Sequence, residues 1–294
     1  MRILITARNG LTGSWLFKNK DKIHGLSLIF HERVNGDLGE SKTVKKILEK
    51  SNPDIIIHNA AILSGSLSDH SLKQKNSENN LLIFKNILEH LSSNQKLISL
   101  SSYHVYSNSP PFLNLDTSIL NFNTPYASWK SNEILISKEQ KNISFILLPH
   151  LFGAYDNFRP GRAHFIADSI NRICFAIDHN EDKIEFFGDR DLTMQFATGA
   201  QAADFILNQV RFGPNDSNRY IQANIGWVAK AELVFRALLN ILKFKGEVQT
   251  SNSRSSLNSR SLYFKNEGQD SNVISQKFYN ELVLTVQYFN SIKN

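Results

Sequence analysis

The sequence is poor in cysteine and contains no long apolar run. Its single cysteine, Cys174, cannot form an internal disulfide, so the fold does not depend on an oxidising compartment. No apolar run approaches the roughly 20 residues that cross a bilayer. Met1 leads directly into the strand-like run 2–6, without a basic and then apolar signal segment. We therefore expect a cytoplasmic protein with no membrane partner.

The sequence also lacks a dense basic block, although lysine and arginine outnumber aspartate and glutamate by 33 to 27 and the net charge is +6. Nucleic-acid binding needs clustered basic residues, so scattered charge favours phosphorylated small molecules as ligands and argues against nucleic acid. With 41% hydrophobic and 20% charged residues, the composition is typical of a folded globular chain.

Short β-branched apolar runs alternate with amphipathic stretches over the first 150 residues. Five runs are predicted strands: Ile3–Thr6, Leu26–Phe30, Asp54–His58, Lys96–Leu100 and Ser144–Leu148. Three stretches between them have helical spacing: Ser41–Lys50, Asn79–His90 and Ala127–Ser137. The alternation predicts an α/β fold with a Rossmann-type, doubly wound parallel sheet.

The second half of the chain has a different pattern. Helical spacing recurs at His164–Ile177, Ala200–Val210, Lys230–Leu242 and Ser275–Ile292, and Thr250–Ser261 has the composition of a solvated loop. We predict a Rossmann domain over residues 1–155 and a smaller α/β substrate lobe over 156–294, some of whose elements return to the first domain.

A glycine-containing turn follows the first predicted strand. Gly10 and Gly13 occupy the second and third positions of a Gly-x-x-Gly-x-x-Gly spacing whose first position is Ala7, and a helix is predicted to begin near Trp15. Glycines at such a turn let backbone N–H groups approach a pyrophosphate at a helix N-terminus. A tight turn needs glycines for structural reasons too, so the spacing alone leaves both interpretations open.

The end of the second predicted strand bears on the choice between NAD and NADP. An acidic residue there accepts hydrogen bonds from the ribose of NAD, whereas arginine pairs with the 2′-phosphate of NADP. Arg33, together with Arg8 in the glycine turn, suits a dianionic phosphate. NADP is therefore favoured, with Glu32 facing the ribose of NAD as the competing interpretation.

Tyr126 and Lys130 lie four residues apart and share one face of a predicted helix. A nearby cation favours the phenolate and lowers the pKa of tyrosine, so the pair suits acid/base chemistry on carbonyls and alcohols. In isolation the spacing is more often that of an amphipathic surface pair. Ser102 follows the fourth predicted strand at the carboxyl edge, where ligands of α/β proteins bind, and adds a hydrogen bond for a substrate oxygen.

Five segments in order resemble the extended branch of the short-chain dehydrogenase/reductase superfamily, the nucleotide-sugar epimerases, dehydratases and reductases. They are the glycine turn, Gly36-Asp37-Leu38, His58-Asn59-Ala60-Ala61, Ser101-Ser102-Tyr103-His104-Val105-Tyr106 and Tyr126-x-x-x-Lys130. The resemblance implies that Ser102, Tyr126 and Lys130 are catalytic. It implies a cofactor-binding set of Ala7, Arg8, Asn9, Gly10, Leu11, Thr12, Gly13, Arg33, Asp37, Leu38, Asn59, Ala60, Ala61, Asn80, Tyr126, Lys130 and His164. It also implies a homodimer formed through Asn79–His90 and Ala127–Ser137.

Within that branch, residues 80–86 and 151–166 are similar to those of the GDP-L-fucose synthases, which epimerise and then reduce a 4-keto-6-deoxy sugar nucleotide with NADPH. In that group a cysteine and a histidine handle protons beside the ketone, and the corresponding positions here are His104 and His164. Histidine titrates near neutrality, so two of them can remove and return an α-proton. The alternative is that His104 only fills a loop position and His164 only begins a helix.

Several features depart from that group. His150 replaces an asparagine, and Gln195-Phe196 stands where the group has Arg-Glu-Phe, which removes an arginine that would grip a substrate phosphate. Arg159, Arg162 or Arg190 are candidates to compensate. The chain length is closer to that of the dTDP-4-dehydrorhamnose reductases, which are single-step ketoreductases.

We therefore expect NADP(H)-dependent reduction of the 4-keto group of a nucleotide sugar, with or without prior epimerisation, and no metal ion. Tyr126 would donate the proton, Ser102 would orient the carbonyl, and Lys130 would hold the nicotinamide ribose and lower the pKa of Tyr126. One alternative is an NAD-dependent nucleotide-sugar 4-epimerase or dehydratase. Another is a cofactor-binding subunit that has lost turnover.

Overall fold

A six-stranded parallel sheet positions the candidate site. The computed structural model describes residues 1–64, 68–106, 120–187, 189–212, 219–251 and 270–293. The strands in these residues are β1 (Arg2–Ile5), β2 (Ser27–Phe30), β3 (Ile55–His58), β4 (Lys96–Ser102), β5 (Ile143–Leu148), β6 (His150–Phe152), β7 (Lys183–Phe187), β8 (Thr193–Thr198), β9 (Tyr220–Gln222), β10 (Trp227–Lys230) and β11 (Glu247–Ser251). The helices are α1 (Leu11–Lys18), α2 (Ser41–Ser51), α3 (His70–His90), α4 (Pro125–Ile136), α5 (Phe165–Asp178), α6 (Gly199–Phe212), α7 (Ala231–Leu242) and α8 (Gln276–Lys293).

The sheet has the order β2-β1-β3-β4-β5-β9, and every neighbouring pair is parallel. Side chains alternate between the two faces along each strand, and helices cover both faces. Leu4 packs with residues of α2, α3 and α4 on one face. Ile3 and Ile5 pack with residues of α1 and α6 on the other. This confirms the predicted α/β fold with a doubly wound parallel sheet.

The strand order reverses between β1 and β3. From β1 the chain builds outward to β2 on one side and then to β3, β4 and β5 on the other. In open α/β sheets the crevice at the carboxyl ends of such a pair is where ligands bind. The turns that follow β1 and β3 are therefore the first place to look for a cofactor site.

A second core lies among the elements that follow β5. The strands β10, β8 and β6 form one small sheet, and β11 and β7 form another. Their apolar side chains pack with those of α5, α7 and α8 in a cluster that contains Phe152, Phe196, Phe235 and Phe278. By contrast, α6 packs on the large sheet, where β9 supplies the edge strand beside β5. The boundary at residue 155 stays a prediction.

Three predicted boundaries were wrong. The first helix begins at Leu11, not near Trp15, because the buried Gly13 interrupts its apolar pattern. Helix α3 begins at His70, nine residues before the predicted start, because its first two turns are polar and show no apolar periodicity. Thr250 and Ser251 belong to β11 and not to a loop; residues 252–261 of that predicted loop lie outside the described residues.

None of the described helices is both long enough and apolar enough to span a membrane. The faces predicted to form a dimer carry exposed apolar side chains, with Leu82 on α3 46% exposed and Ile136 on α4 41% exposed. The homodimer stays a prediction that the mass of the protein in solution tests.

Candidate active site

The turns after β1 and β3 are joined by hydrogen bonds at the carboxyl edge of the sheet. Thr6 Oγ1 accepts from the backbone N–H groups of Asn59 and Ala60, both at 3.0 Å. The Asn59 side chain accepts from the backbone N–H of Ala7 at 2.8 Å and donates to the backbone oxygen of Ala7 at 2.9 Å. Asn59 therefore fixes the glycine turn at the point where the strand order reverses.

The N-terminus of α1 fits a pyrophosphate group. Gly10 is the N-cap residue with a φ of 104°, a conformation that strains any residue with a Cβ. A Cβ at Gly13 would lie 2.2 Å from the backbone oxygen of Ala7, so glycine is needed for this close approach. No side chain caps this end of the helix and its first turn holds no acidic residue. The first-turn N–H groups, which belong to Leu11, Thr12 and Gly13, and the positive end of the helix dipole suit an anion here.

The two arginines of the predicted phosphate clamp are both paired with carboxylates. Arg8 Nη1 lies 2.5 Å from Glu32 Oε1, and its guanidinium lies 3.6 Å from the ring centroid of Phe17. Arg33 lies 3.2 Å from Asp37, and its side chain is 85% exposed. A 2′-phosphate would therefore have to compete with two acidic groups.

Two other predicted cofactor residues are buried. Asn80 is 1% exposed, and its side-chain amide accepts from the backbone N–H of Ile62 at 2.8 Å and donates to the backbone oxygen of Ile62 at 3.0 Å. Leu38 is 7% exposed within the core beside α2. These two hydrogen bonds hold the loop that contains Ala60 and Ala61, and the role of Asn80 in cofactor binding stays a prediction.

The start of α4 places Tyr126 beside Ser102. The Thr124 side chain caps the helix by accepting from the backbone N–H of Ala127 at 3.1 Å, and Pro125 occupies the first helical position. Tyr126 is therefore in the first turn, where its hydroxyl interacts with the side chain of Ser102 at the end of β4. Burial raises the pKa of Tyr126 to about 12, although the interaction with Ser102 opposes this.

Lys130 lies one turn after Tyr126, and its predicted lowering of the pKa of that tyrosine stays a prediction. Its ammonium donates to the backbone oxygen of Leu100 at 2.8 Å and lies 3.2 Å from Glu133 Oε2. The negative charge of Glu133 offsets the positive charge of Lys130 and itself helps to raise the pKa of Tyr126. Lys130 and Glu133 are both buried, at 5% and 0% exposure.

Three histidines lie near one another, and one of them contacts Tyr126. The ring centroid of His104 lies 5.6 Å from that of Tyr126 and 5.2 Å from that of His150. His164 Nδ1 is hydrogen-bonded to Asp156 Oδ1 at 2.9 Å, and its side chain remains 39% exposed. The structure thus brings the predicted residues His104 and His164 into one cluster with His150, which sequence reasoning treated only as a departure.

The histidines differ in their protonation. Burial lowers the pKa of His150 well below its usual value, and the proximity of His104 and His164 lowers it further, so His150 is neutral. Burial also opposes the charge on His164, but the charge and hydrogen bond of Asp156 together raise its pKa. One site therefore holds a neutral imidazole and one that favours the proton, as an acid and base pair requires.

Sequence reasoning missed Glu133, His150 and Asp156. Glu133 lies three residues after Lys130. This spacing places both residues on one helix face and could have been recognised in the sequence. His150 follows β5 at the same carboxyl edge as Ser102, which was also a usable signal. No sequence signal pointed to Asp156, because its contact with His164, eight residues later, depends on the path of the intervening loop.

Gln195 is not placed to replace a phosphate-binding arginine. It is fully buried on β8 and donates to the backbone oxygen of Ile225 at 2.8 Å. Arg190, one candidate to compensate, donates to Thr250 Oγ1 at 2.9 Å and lies 3.8 Å from Glu232. Arg159 and Arg162 lie in the loop before His164 and stay the predicted phosphate ligands.

Comparison with known proteins places this chain in a family. The NAD-dependent epimerase/dehydratase family matches residues 3–225. The GDP-L-colitose synthase of Yersinia pseudotuberculosis is 26% identical over 263 residues, which are 84% of this chain and 83% of that protein.

Two solved structures have the same fold. One is a GDP-L-fucose synthetase from Naegleria fowleri bound to NADP, with a TM-score of 0.78 and 19% identity over 99% of this chain and 94% of that chain. The other is a GDP-6-OMe-4-keto-L-xylo-heptose reductase from C. jejuni, with a TM-score of 0.78 and 16% identity over 100% of this chain and 98% of that chain. The resemblance read from the sequence is thereby confirmed. The chain belongs to the NAD-dependent epimerase/dehydratase family and is an NAD(P)-dependent oxidoreductase or epimerase.

Proposed function

We propose that this enzyme epimerises a GDP-linked 4-keto-6-deoxy sugar beside its ketone and then reduces the ketone with NADPH. The observation that carries the proposal is that His104 contacts both Tyr126 and His150, and that His150 in turn lies close enough to His164 for their charges to interact. A reductase needs one proton donor for the alkoxide, whereas epimerisation also needs groups that remove and return a carbon-bound proton. GDP stands in the names of all three relatives described above, and this supports GDP as the nucleotide.

The reduction uses residues of β4 and α4. The nicotinamide supplies hydride to the carbonyl carbon when it is bound. Ser102 and Tyr126 hold the carbonyl oxygen, and Tyr126 gives its hydroxyl proton to that oxygen as the alcohol forms. Lys130 fixes the nicotinamide ribose, and the first turn of α1 with Asn59 holds the pyrophosphate end of the cofactor.

The epimerisation uses the histidines. An imidazole, that of the neutral His150 or of its neighbour His104, takes the proton from the carbon beside the ketone, and the electron pair moves to the carbonyl oxygen. Protonated His164 then returns a proton to the opposite face of that carbon. Asp156 keeps the proton on His164 until it is needed, because the carboxylate stabilises the charged ring.

Oxidation of NADPH by a GDP-linked 4-keto-6-deoxyhexose tests the proposal. We expect the absorbance at 340 nm to fall only when both are present, and the NMR spectrum of the product to show one alcohol with an inverted neighbouring carbon. Reduction without inversion would mean that the enzyme is a ketoreductase that does not epimerise its substrate. Absence of any NADPH oxidation would contradict the proposal.

The pairing of Arg8 with Glu32 supports a second candidate, an NAD-dependent nucleotide-sugar 4-epimerase, because Glu32 stands where the ribose of NAD would bind. Titration with NADPH and with NADH, followed by quenching of tryptophan fluorescence, separates the two. We expect NADPH to bind at least about tenfold more tightly, as one charge-assisted hydrogen bond to the 2′-phosphate would give.

Two variants give matched controls for this titration. Arg8→Ala should remove the preference, and Glu32→Gln should increase it by releasing Arg8 from its carboxylate. Tight NADH binding, or NAD that co-purifies with the protein, would favour the epimerase. Binding of neither cofactor would favour a subunit without turnover.

A further inference from the structure

Tyr155 has a backbone conformation that is unusual for its residue type. Its φ is 72°, in the left-handed region where a side chain with a Cβ is strained. The other described residues with a positive φ are glycines, Asn52 and Asn180, which tolerate this conformation, and Lys243, which is the C-cap of α7. Tyr155 is an aromatic residue within a loop, so neither explanation applies to it.

The ring of Tyr155 is held by residues of two distant elements. Lys18 Nζ, at the end of α1, lies 4.5 Å from the ring centroid. The ring of Tyr288, on α8, packs edge-on against that of Tyr155 with 5.2 Å between the centroids. A strained backbone conformation persists only where the surrounding structure determines it. The cation–π contact and the aromatic pair supply that support, and they join α1 to α8 through Tyr155.

The residue after Tyr155 is the carboxylate that holds His164. Asp156 is buried, and its Oδ1 accepts from the backbone N–H of Asn157 at 2.7 Å and is hydrogen-bonded to His164 Nδ1 at 2.9 Å. The backbone N–H of Asp156 donates to the backbone oxygen of Gly153 at 3.2 Å and closes a four-residue turn. Tyr155 occupies the third position of this turn, where a positive φ ordinarily requires Gly or Asn. The φ of Tyr155 therefore sets the direction in which the chain enters Asp156.

The pKa of His164 reports the placement of Asp156. The charge and the hydrogen bond of Asp156 raise that pKa, and burial opposes them. His150, at the start of β6, is a further titratable group whose charge interacts with that of His164. Neither Lys18 nor Tyr155 contributes directly to the raised pKa. A substitution at either residue therefore changes the pKa of His164 by moving Asp156.

We propose that Tyr155 is a positioning residue, held by Lys18 and Tyr288 in its left-handed conformation so that Asp156 keeps its carboxylate on His164. This rests on the proposed function, in which protonated His164 returns a proton to carbon. Without the two ring contacts, rotation of the backbone at Tyr155 would relieve its strain and turn Asp156 away from His164. Lys18 thus connects α1, whose first turn suits the pyrophosphate, to the proton donor of the site.

An NMR titration of the imidazole of His164 tests this without substrate or cofactor, and His164→Gln identifies its signal among the nine histidines. Tyr155→Leu keeps a Cβ, and with it the strain, but removes the ring. We expect the midpoint of His164 to move to lower pH. Deuterium incorporation into the keto sugar should fall by about tenfold, the order of effect of one cation–π contact and one aromatic pair. Reduction of a sugar that is already epimerised should stay within a few-fold of wild type.

Two lysines at the end of α1 give a matched pair of variants. Lys18→Met removes the cation from the ring of Tyr155 at an exposed position, and we expect it to move the midpoint of His164 in the same direction as Tyr155→Leu. Lys20→Met removes a cation that lies 4.9 Å from the ring of Phe17, so it should titrate as the wild type does. Tyr155→Phe keeps the ring for both contacts and should also retain the wild-type midpoint.

The outcomes separate this proposal from the proposed function. An unchanged midpoint of His164 in both Tyr155→Leu and Lys18→Met would overturn the role of Tyr155 alone. Equal losses of deuterium incorporation and of reduction with that unchanged midpoint would mean a merely structural role and would overturn it too. The expected fall of the midpoint in a protein that incorporates no deuterium contradicts the proposed function alone. If Tyr155→Leu does not fold, Lys18→Met decides the matter by itself.

Discussion

Replacing Tyr126 by phenylalanine should lower kcat for NADPH-dependent reduction by about 10²- to 10⁴-fold, the usual contribution of a positioned proton donor. The substitution removes the hydroxyl that interacts with Ser102 and keeps the ring that packs against Trp129 and His104. Stability and NADPH affinity should therefore change little. Stopped turnover with near-normal cofactor binding, measured by NADPH oxidation and by fluorescence quenching, is the expected result.

Tyr106→Phe is the matched control for that variant. Tyr106 also carries a buried phenol near the end of β4, and its hydroxyl accepts from Gln222 Nε2 at 2.9 Å. Burial raises its pKa as well, so a raised pKa alone does not distinguish the two tyrosines. We expect the control to keep kcat within a few-fold of wild type. Equal losses in both variants, or full turnover in Tyr126→Phe, would contradict the assignment of Tyr126.

Much of the fold was predictable because a parallel sheet buried on both faces produces continuous apolar strands. The run Ile55–Ile57 is an example, since all three side chains are buried and no polar residue interrupts it. Helix α3 shows the opposite case. Only its second half faces the core with Ile83, Phe84 and Ile87, so the polar first half carried no periodic signal.

The site was predictable where chemistry lies within one element and not where it depends on packing between elements. The spacing of Tyr126 and Lys130 follows from helix geometry. The effective charge at Lys130 does not follow from helix geometry, because it depends on the burial of Glu133 against Ser99, which lies on another element. The same holds for His150, whose importance comes from neighbours that lie far from it in sequence.

Replacing His164 by glutamine should lower the rate of solvent deuterium incorporation into the keto sugar by about 10²- to 10⁴-fold. Glutamine can accept a hydrogen bond but cannot carry the proton that epimerisation returns. Reduction of a sugar that is already epimerised should remain, because Tyr126 and Ser102 are untouched. Mass spectrometry in deuterium oxide measures the first effect and NADPH oxidation the second.

His179→Gln is the matched control. This variant makes the same chemical change at the other end of α5, where the ring of His179 stacks on the exposed Phe175. It should incorporate deuterium at the wild-type rate. If His164→Gln also does so, the proton on carbon is handled elsewhere, and His104 and the neutral His150 become the groups to vary next.

Asp156→Asn should move the alkaline limb of deuterium incorporation to lower pH. Asp156 is what raises the pKa of His164 against the opposing effect of burial, so without that carboxylate the imidazole loses its proton at lower pH.

The raised pKa of His164 also makes the stability of the fold depend on pH. A raised native pKa stabilises the fold below the unfolded value near 6.5 and loses that effect as the pH rises through the native value. The wild-type advantage in unfolding free energy over Asp156→Asn should therefore be larger at pH 6 than at pH 9. An advantage that is equal at both values would mean that the pair acts only as a neutral hydrogen bond, and His164 would then lack the proton that the proposed epimerisation requires.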